Sequence, residues 1–112
     1  MSYPNMLATY EVALARYPEI TVSHLHFLET VRTHPGLSQS ELAAKLGRST
    51  AFMSRVIDKW GCGPAKTERH KSHGLVRAVR DMQDDRLILI YLTTQGLNFL
   101  DQLQIAAIGG AR

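Results

Sequence analysis

From Ser38 onward the apolar residues fall into two short runs at helical spacing, divided by a glycine. In SQSELAAKLGRSTAFMSRVIDKW (38–60) the hydroxyl of Ser38 is placed to cap a helix, while Glu41, three residues on, reaches back to the free amide of Ser38: a capping box. Leu42, Ala43 and Leu46 then share one face, Gly47 supplies the left-handed or cramped position that ends the helix, and Ser49 caps the next. The second helix is predicted from about Thr50 to Trp60. Its inward stripe is Phe52, Met53, Val56, Ile57 and Trp60, which leaves Thr50, Ser54, Arg55 and Lys59 on the outer side. Ala43 is small where the two helices must cross closely. This is the outline of a helix-turn-helix, and it makes duplex DNA the expected partner. An ordinary helical hairpin inside a core carries the same local pattern, so the residues that follow matter.

After Gly74 come LVRAVR and RLILIYL, two runs rich in β-branched and aliphatic residues, separated by the polar stretch from Asp81 to Asp85. They read as a β-hairpin with a solvated tip, spanning 75–92. A helix-turn-helix followed at once by such a hairpin is a winged helix, with the second helix directed at the major groove and the hairpin at the flanking backbone or minor groove. Two further amphipathic stretches flank this unit. One runs from about Pro4 to Tyr17, with Met6, Tyr10, Ala13, Leu14 and Tyr17 on one face. The other runs from Thr94 to Ala107, with Leu97, Leu100, Leu103 and Ala107 on one face. Isolated helices of this length are marginal in water, so their apolar sides are expected against the core or another subunit. The expected architecture is mainly α (α+β): one domain over 1–112, a two-stranded wing and short terminal helices.

Composition narrows the class further. The chain has 112 residues, 45% of them hydrophobic and 21% charged, enough for one core without staples. No apolar run approaches the roughly 20 residues of a membrane span. The leading MSYPNMLATYEVALARYPE lacks the basic lead and unbroken apolar stretch of a signal peptide. The single cysteine, Cys62, excludes an internal disulfide, and a cytoplasmic location is expected.

Net charge is only +3, but it is unevenly spread. Residues 1–47 carry three basic and four acidic side chains, a balance of −1. Residues 48–80 carry eight basic ones (Arg48, Arg55, Lys59, Lys66, Arg69, Lys71, Arg77 and Arg80) against Asp58 and Glu68, a balance of +6. Positive charge thus gathers on the second helix of the motif, the stretch after it and the first wing strand, where phosphates would be met.

The chain resembles the multiple antibiotic resistance regulator (MarR) family of winged-helix transcription factors from Ile20 through Leu103. The resemblance is carried by HPGLSQSELAAKLG (34–47), SRVIDKW (54–60), GLVRAVRDMQDDR (74–86) and LTTQG (92–96). It implies that Ser49, Thr50, Ser54 and Arg55 face the major groove, that Asp84 and Arg86 organise the wing, and that the protein works as a homodimer through its terminal helices. Three departures modify that expectation. Between Trp60 and Gly74 stands GCGPAKTERHKSH (61–73), about ten residues beyond the family's usual link. It is basic through Lys66, Arg69 and Lys71, and Ala65 to His73 is a candidate short helix between Pro64 and Gly74. Asp85 stands where the family usually has a basic residue, so phosphate contacts from Arg77, Arg80 and Arg86 on the strands are expected rather than deep insertion of the tip. Asp84 is expected to partner Arg86 or the turn amides. The terminal helices are shorter than the family's, which implies a smaller dimer interface and leaves a small-molecule effector open.

Enzymatic readings find little support. Cys62, His70 and His73 lack a structural zinc spacing, and neither a nucleophile triad, a phosphate loop nor a paired-carboxylate cleft is evident. No cofactor or metal is expected. His24, His26 and His34 read as packing or surface groups. Two functional classes remain: a sequence-specific dimeric regulator, and a duplex-binding protein that coats or bends DNA with little sequence preference.

Overall fold

The computed structural model describes residues 3–62, 73–84 and 86–108, without the side chains of 3–5 and 62. Five helices and four short strands follow in the order α1 (Tyr3–Arg16), α2 (Val22–Thr33), β1 (Leu37–Ser38), α3 (Gln39–Leu46), α4 (Thr50–Trp60), β2 (Gly61–Cys62), β3 (Val76–Arg80), β4 (Ile88–Leu92) and α5 (Thr94–Ala107).

The helix pair forms for the reasons its sequence gives. Ser38 Oγ accepts from the Glu41 amide at 3.1 Å and the Ser38 amide donates to Glu41 Oε1 at 2.9 Å. Gly47 adopts φ 67°, ψ 34° and closes α3 with its N–H on the Ala43 and Ala44 carbonyls. Ser49 Oγ then accepts from the Phe52 amide at 3.0 Å to start α4. Leu42, Ala43, Met53, Val56, Ile57 and Trp60 are buried, while Phe52 is half-buried.

The wing is more than a two-stranded hairpin. β3 and β4 pair antiparallel with Ala78 opposite Ile90, and the sheet continues on both edges in the order β1-β4-β3-β2. β1 pairs antiparallel with β4 (Leu37 with Ile90), and β2 runs parallel to β3 (Gly61 with Val76). Gly61 ends α4 as expected, but the chain continues directly into β2. Residues 63–72, with most of the candidate extra helix, lie outside the described residues; His73 is described and is not helical.

α2, the helix that carries His24 and His26, crosses the core with Phe27, Leu28, Thr30 and Val31 buried. Its cap is a Thr21–His24 box. The terminal helices pack on each other and α5 also on α2; Ala13, Tyr17, Leu100 and Leu103 are buried as expected, with Tyr10 and Leu14 against the core, but the ends of the two expected faces are not. Met6 is 53% exposed and Leu97 43%. The face of α5 that is buried is Gly96, Phe99, Leu100 and Leu103. The offset has a steric cause: the first turn of α5 lies directly on the Leu75 carbonyl, where only Gly96 fits, and this turns Leu97 outward. Phe99 then meets the Tyr17 ring edge-on at 5.0 Å.

Candidate nucleic-acid interface

α4 separates its residues cleanly. Its buried stripe faces α3 and the sheet, and Ser49, Thr50, Ser54 and Arg55 are exposed on the opposite side. Ser49 has two roles there, since its oxygen is committed to the cap while its hydroxyl proton remains available. Thr50 also borders a groove of about 200 Å³ with Ser38, Gln39, Ser40, Arg86, Leu87 and Ile88. The starts of α3 and α4 and the tip end of the wing therefore form one concave surface.

Arg86 is held there by Asp84. Its Nε and Nη2 donate to the two carboxylate oxygens at 2.9 and 3.1 Å, and its amide donates to Asp84 Oδ1 at 3.2 Å. This forked pair fixes the planar guanidinium and holds the Asp84 carboxyl below its ordinary range, chiefly through the side-chain hydrogen bond. Asp81 braces the same tip by accepting from the Gln83 amide at 2.9 Å.

The other candidate residues are distributed less uniformly. Arg77 and Arg80 are exposed, but three positions apart they have opposite strand parity and do not share a face. Lys59 points away from the outer side of α4: its Nζ lies 3.6 Å from Glu19 Oε1 and 5.6 Å from the centre of the Trp60 ring. Lys66, Arg69, Lys71 and Asp85 lie outside the described residues.

Behind α4 sits an aromatic cluster. Trp60, fully buried, is met edge-on by Tyr17 and His24, both with ring centres at 5.3 Å, and is stacked by His73 at 4.6 Å. Trp60 Nε1 has no hydrogen-bond partner among the described residues. His73 Nε2 lies 3.4 Å from Glu19 Oε1. Burial first, and Lys59 second, hold the His24 imidazole below the ordinary histidine range.

Arg48, counted from the sequence only as charge, also has a positional role. Its Nη2 donates to Ser23 Oγ at 2.8 Å, and its guanidinium lies over the Phe52 ring at 4.7 Å. Its place immediately before the Ser49 cap was the one available signal. A second concavity, about 440 Å³, opens between α1, α2 and α5, where Leu25, Leu100 and Leu103 adjoin the Arg32–Glu29 ion pair. The described residues contain no group of three or more His, Cys, Asp or Glu able to hold a metal ion, and no helix long and apolar enough to cross a membrane.

Two crossed helices, the second with an exposed polar face, followed by a hairpin that shares a groove with their starts, define a winged helix-turn-helix protein. Residues 20–59 match the model of the MarR family. That match covers α2, α3 and most of α4, so the chain is similar to the MarR family there, within a winged helix-turn-helix fold. Among solved structures it is similar to RV1404 from Mycobacterium tuberculosis, with a TM-score of 0.74 and 17% identity over 95% of this chain and 65% of that one. It is also similar to MepR from S. aureus, solved as a DNA complex, with a TM-score of 0.72 and 24% identity over 97% of this chain and 81% of that one. For the PcaV transcriptional regulator from Streptomyces coelicolor, solved with its natural ligand, the values are 0.62 and 26% over 94% and 72%. The chain thus spans just under two thirds of RV1404 and more of the other two. No curated protein matches it.

Proposed function

We propose that the chain is a dimeric, sequence-specific transcriptional regulator that lays α4 in the major groove of duplex DNA. The observation that carries this reading is the exposed outer side of α4, which opens onto the groove that Thr50 shares with Arg86. Arg55 is assigned to base reading because its guanidinium can bond a guanine edge in two places, with Ser49, Thr50 and Ser54 as less selective contacts. Arg77, Arg80 and Arg86, together with Lys66, Arg69 and Lys71, are assigned to phosphates. Lys59 is assigned to Glu19 instead. The structures solved with DNA and with a ligand support the general reading, and the cleft between α1, α2 and α5 is the candidate effector site.

The dimer is proposed to form through α1 and α5. Met6, Leu7, Leu97, Ile105 and Ile108 leave exposed apolar surface on these two helices, and a two-fold arrangement presents two copies of α4 to successive major grooves.

The test is a mobility-shift titration on a defined duplex with unrelated duplex as competitor, at two salt concentrations. A regulator retains preference for a selected site. If unrelated DNA competes equally and complexes grow in a ladder with duplex length, the chain is the non-specific coating protein instead. Within the regulator reading, Arg55→Ala costs about 1–3 kcal/mol and relaxes base preference; equal weakening on every sequence moves Arg55 to the backbone. Replacing Lys66, Arg69 and Lys71 together flattens the salt dependence; an unchanged slope removes them from the interface.

A further inference from the structure

The cap of α2 is made with an unusual partner. Thr21 Oγ1 accepts from the His24 amide at 3.1 Å, and in return the Thr21 amide donates to His24 Nδ1 at 3.2 Å. In an ordinary capping box the returning group is a Glu or Gln oxygen, which accepts at any pH near neutrality. An imidazole nitrogen accepts only while it carries no proton. Acceptance at Nδ1 therefore assigns the ring proton of neutral His24 to Nε2, and a second proton would set one donor against another.

The surroundings oppose that second proton. Lys59 approaches from α4, and the Trp60 ring lies against the imidazole with centres 5.3 Å apart. The first turn of α2 presents its free amides, the positive end of the helix. Among the described residues the nearby counter-charge is Glu19, which is already shared between Lys59 and His73 at 3.6 and 3.4 Å. Burial and Lys59 lower the affinity of His24 for the proton, in agreement with this geometry.

The same helical turn reaches the DNA-facing motif. Ser23, between the cap residue and His24, accepts from Arg48 at 2.8 Å. Arg48 directly precedes the cap of α4 and covers Phe52. The start of α2 thus holds the start of α4 through one hydrogen bond and one stacked guanidinium.

We propose that His24 is a proton-operated latch: neutral, it closes the α2 cap and, through Ser23 and Arg48, seats the start of α4; protonated, it opens that turn and loosens the seat. The consequence for DNA rests on the function proposed above, whereas the latch itself does not.

The test uses the full chain. His24 ring titration and amide exchange, corrected for intrinsic rates, are followed by NMR from about pH 7.5 down to about pH 5, a range carried below that of an ordinary imidazole because His24 is held below it. His24→Glu restores an acceptor that stays ionised over this range, and His24→Gln one that never titrates. In the unaltered chain, acidification is expected to accelerate exchange about tenfold both at residues 23–25 and at 48–52, once His24 is largely protonated. In both variants exchange at these residues stays level. Duplex affinity falls about threefold or more on acidification of the unaltered chain and not in the variants. Retention of the pH effect in both variants overturns the proposal, because another group then carries it. Opening at 23–25 with no change at 48–52 overturns the link to α4. If the latch behaves as expected but no duplex binds at any pH, the latch stands and the proposed function fails.

Discussion

A methyl group added at Gly96 has no room. An ideal Cβ there stands 2.2 Å from the Leu75 carbonyl oxygen and 3.0 Å from Leu92 Cδ2, whereas carbon normally approaches a carbonyl oxygen no closer than about 3.3 Å. The carbonyl cannot retreat easily, because it already accepts from the Thr93 amide at 3.0 Å and the Thr93 hydroxyl at 3.1 Å. Relief requires α5 to move by about 1 Å, the shortfall in that contact distance, and Phe99, Leu100 and Leu103 move with it. Overpacking alone costs about 1–3 kcal/mol. With some loss of packing beneath those three side chains, Gly96→Ala is expected to cost about 3 kcal/mol or more and to lower the melting temperature by about 10–15 °C. Gly47→Ala is the control. It has φ 67° but nothing within 4 Å of the added carbon, so it bears only the left-handed backbone penalty of about 1–2 kcal/mol. Thermal melts and urea titrations of both variants, followed by circular dichroism, separate the two effects. If Gly96→Ala melts within about 1 kcal/mol of the unaltered chain, a size well below the overpacking range, or if Gly47→Ala is the worse of the two, the steric argument for the seating of α5 is wrong.

Trp60→Phe trades lost volume against relief of a buried N–H without a partner, and is expected to cost about 1–2 kcal/mol by urea titration, against about 3–5 for Trp60→Ala. Equal losses in the two variants would mean that the indole nitrogen is satisfied. Asp84→Asn frees Arg86, and the slowed exchange of its Nε proton in NMR spectra should be lost while the melting temperature stays nearly unchanged. The sign with pH follows from the lowered carboxyl pKa: the brace is fully present above the ordinary carboxylate range and is lost as pH falls through the folded-state value. Acid should therefore reproduce the Asn variant. The same sign is expected at His24, whose lowered pKa makes the folded chain bind fewer protons than the unfolded one. Stability should decline as pH falls from the ordinary histidine value of about 6.5 toward the lower folded value, and His24→Gln should remove that part of the slope. Met6→Glu combined with Ile105→Glu should shift sedimentation toward the monomer if α1 and α5 build the dimer; an unchanged distribution would place the interface elsewhere.

What could be read from the sequence was what local chemistry determines. Ser38, Glu41, Gly47 and Ser49 fix α3 and α4 with neighbours no more than a few residues away, and the bounds of α4 agree with the expected Thr50 to Trp60. The forked pair of Asp84 and Arg86 was similarly legible. The start of α2 was less legible, because its capping box closes with His24 instead of the usual Glu or Gln. On α5 the expected Leu100 and Leu103 are buried, but Leu97 is not: the face is rotated toward Gly96 and Phe99 by a contact with Leu75, far away in the chain. Lys59 and Arg48 show the same limit on α4. Helical spacing put Lys59 on the outer side, but Glu19 draws it back, and Ser23 makes Arg48 a brace.

The least legible feature bears most directly on the interface. Two-residue strands carry no periodicity, so nothing in Leu37–Ser38 or Gly61–Cys62 announces them, yet they adjoin the two ends of the helix-turn-helix. β1 ends in Ser38, the cap of α3, and pairs with β4. β2 begins at Gly61, directly after α4, and pairs with β3. In the order β1-β4-β3-β2 the wing hairpin is central, and both ends of the helix pair are hydrogen-bonded to it. A shift of the hairpin base therefore breaks ladder bonds on one edge or the other unless the helix pair moves too. The strand pairs thus couple the position of the hairpin base to both ends of the helix pair, and hence to the start and end of the exposed face of α4.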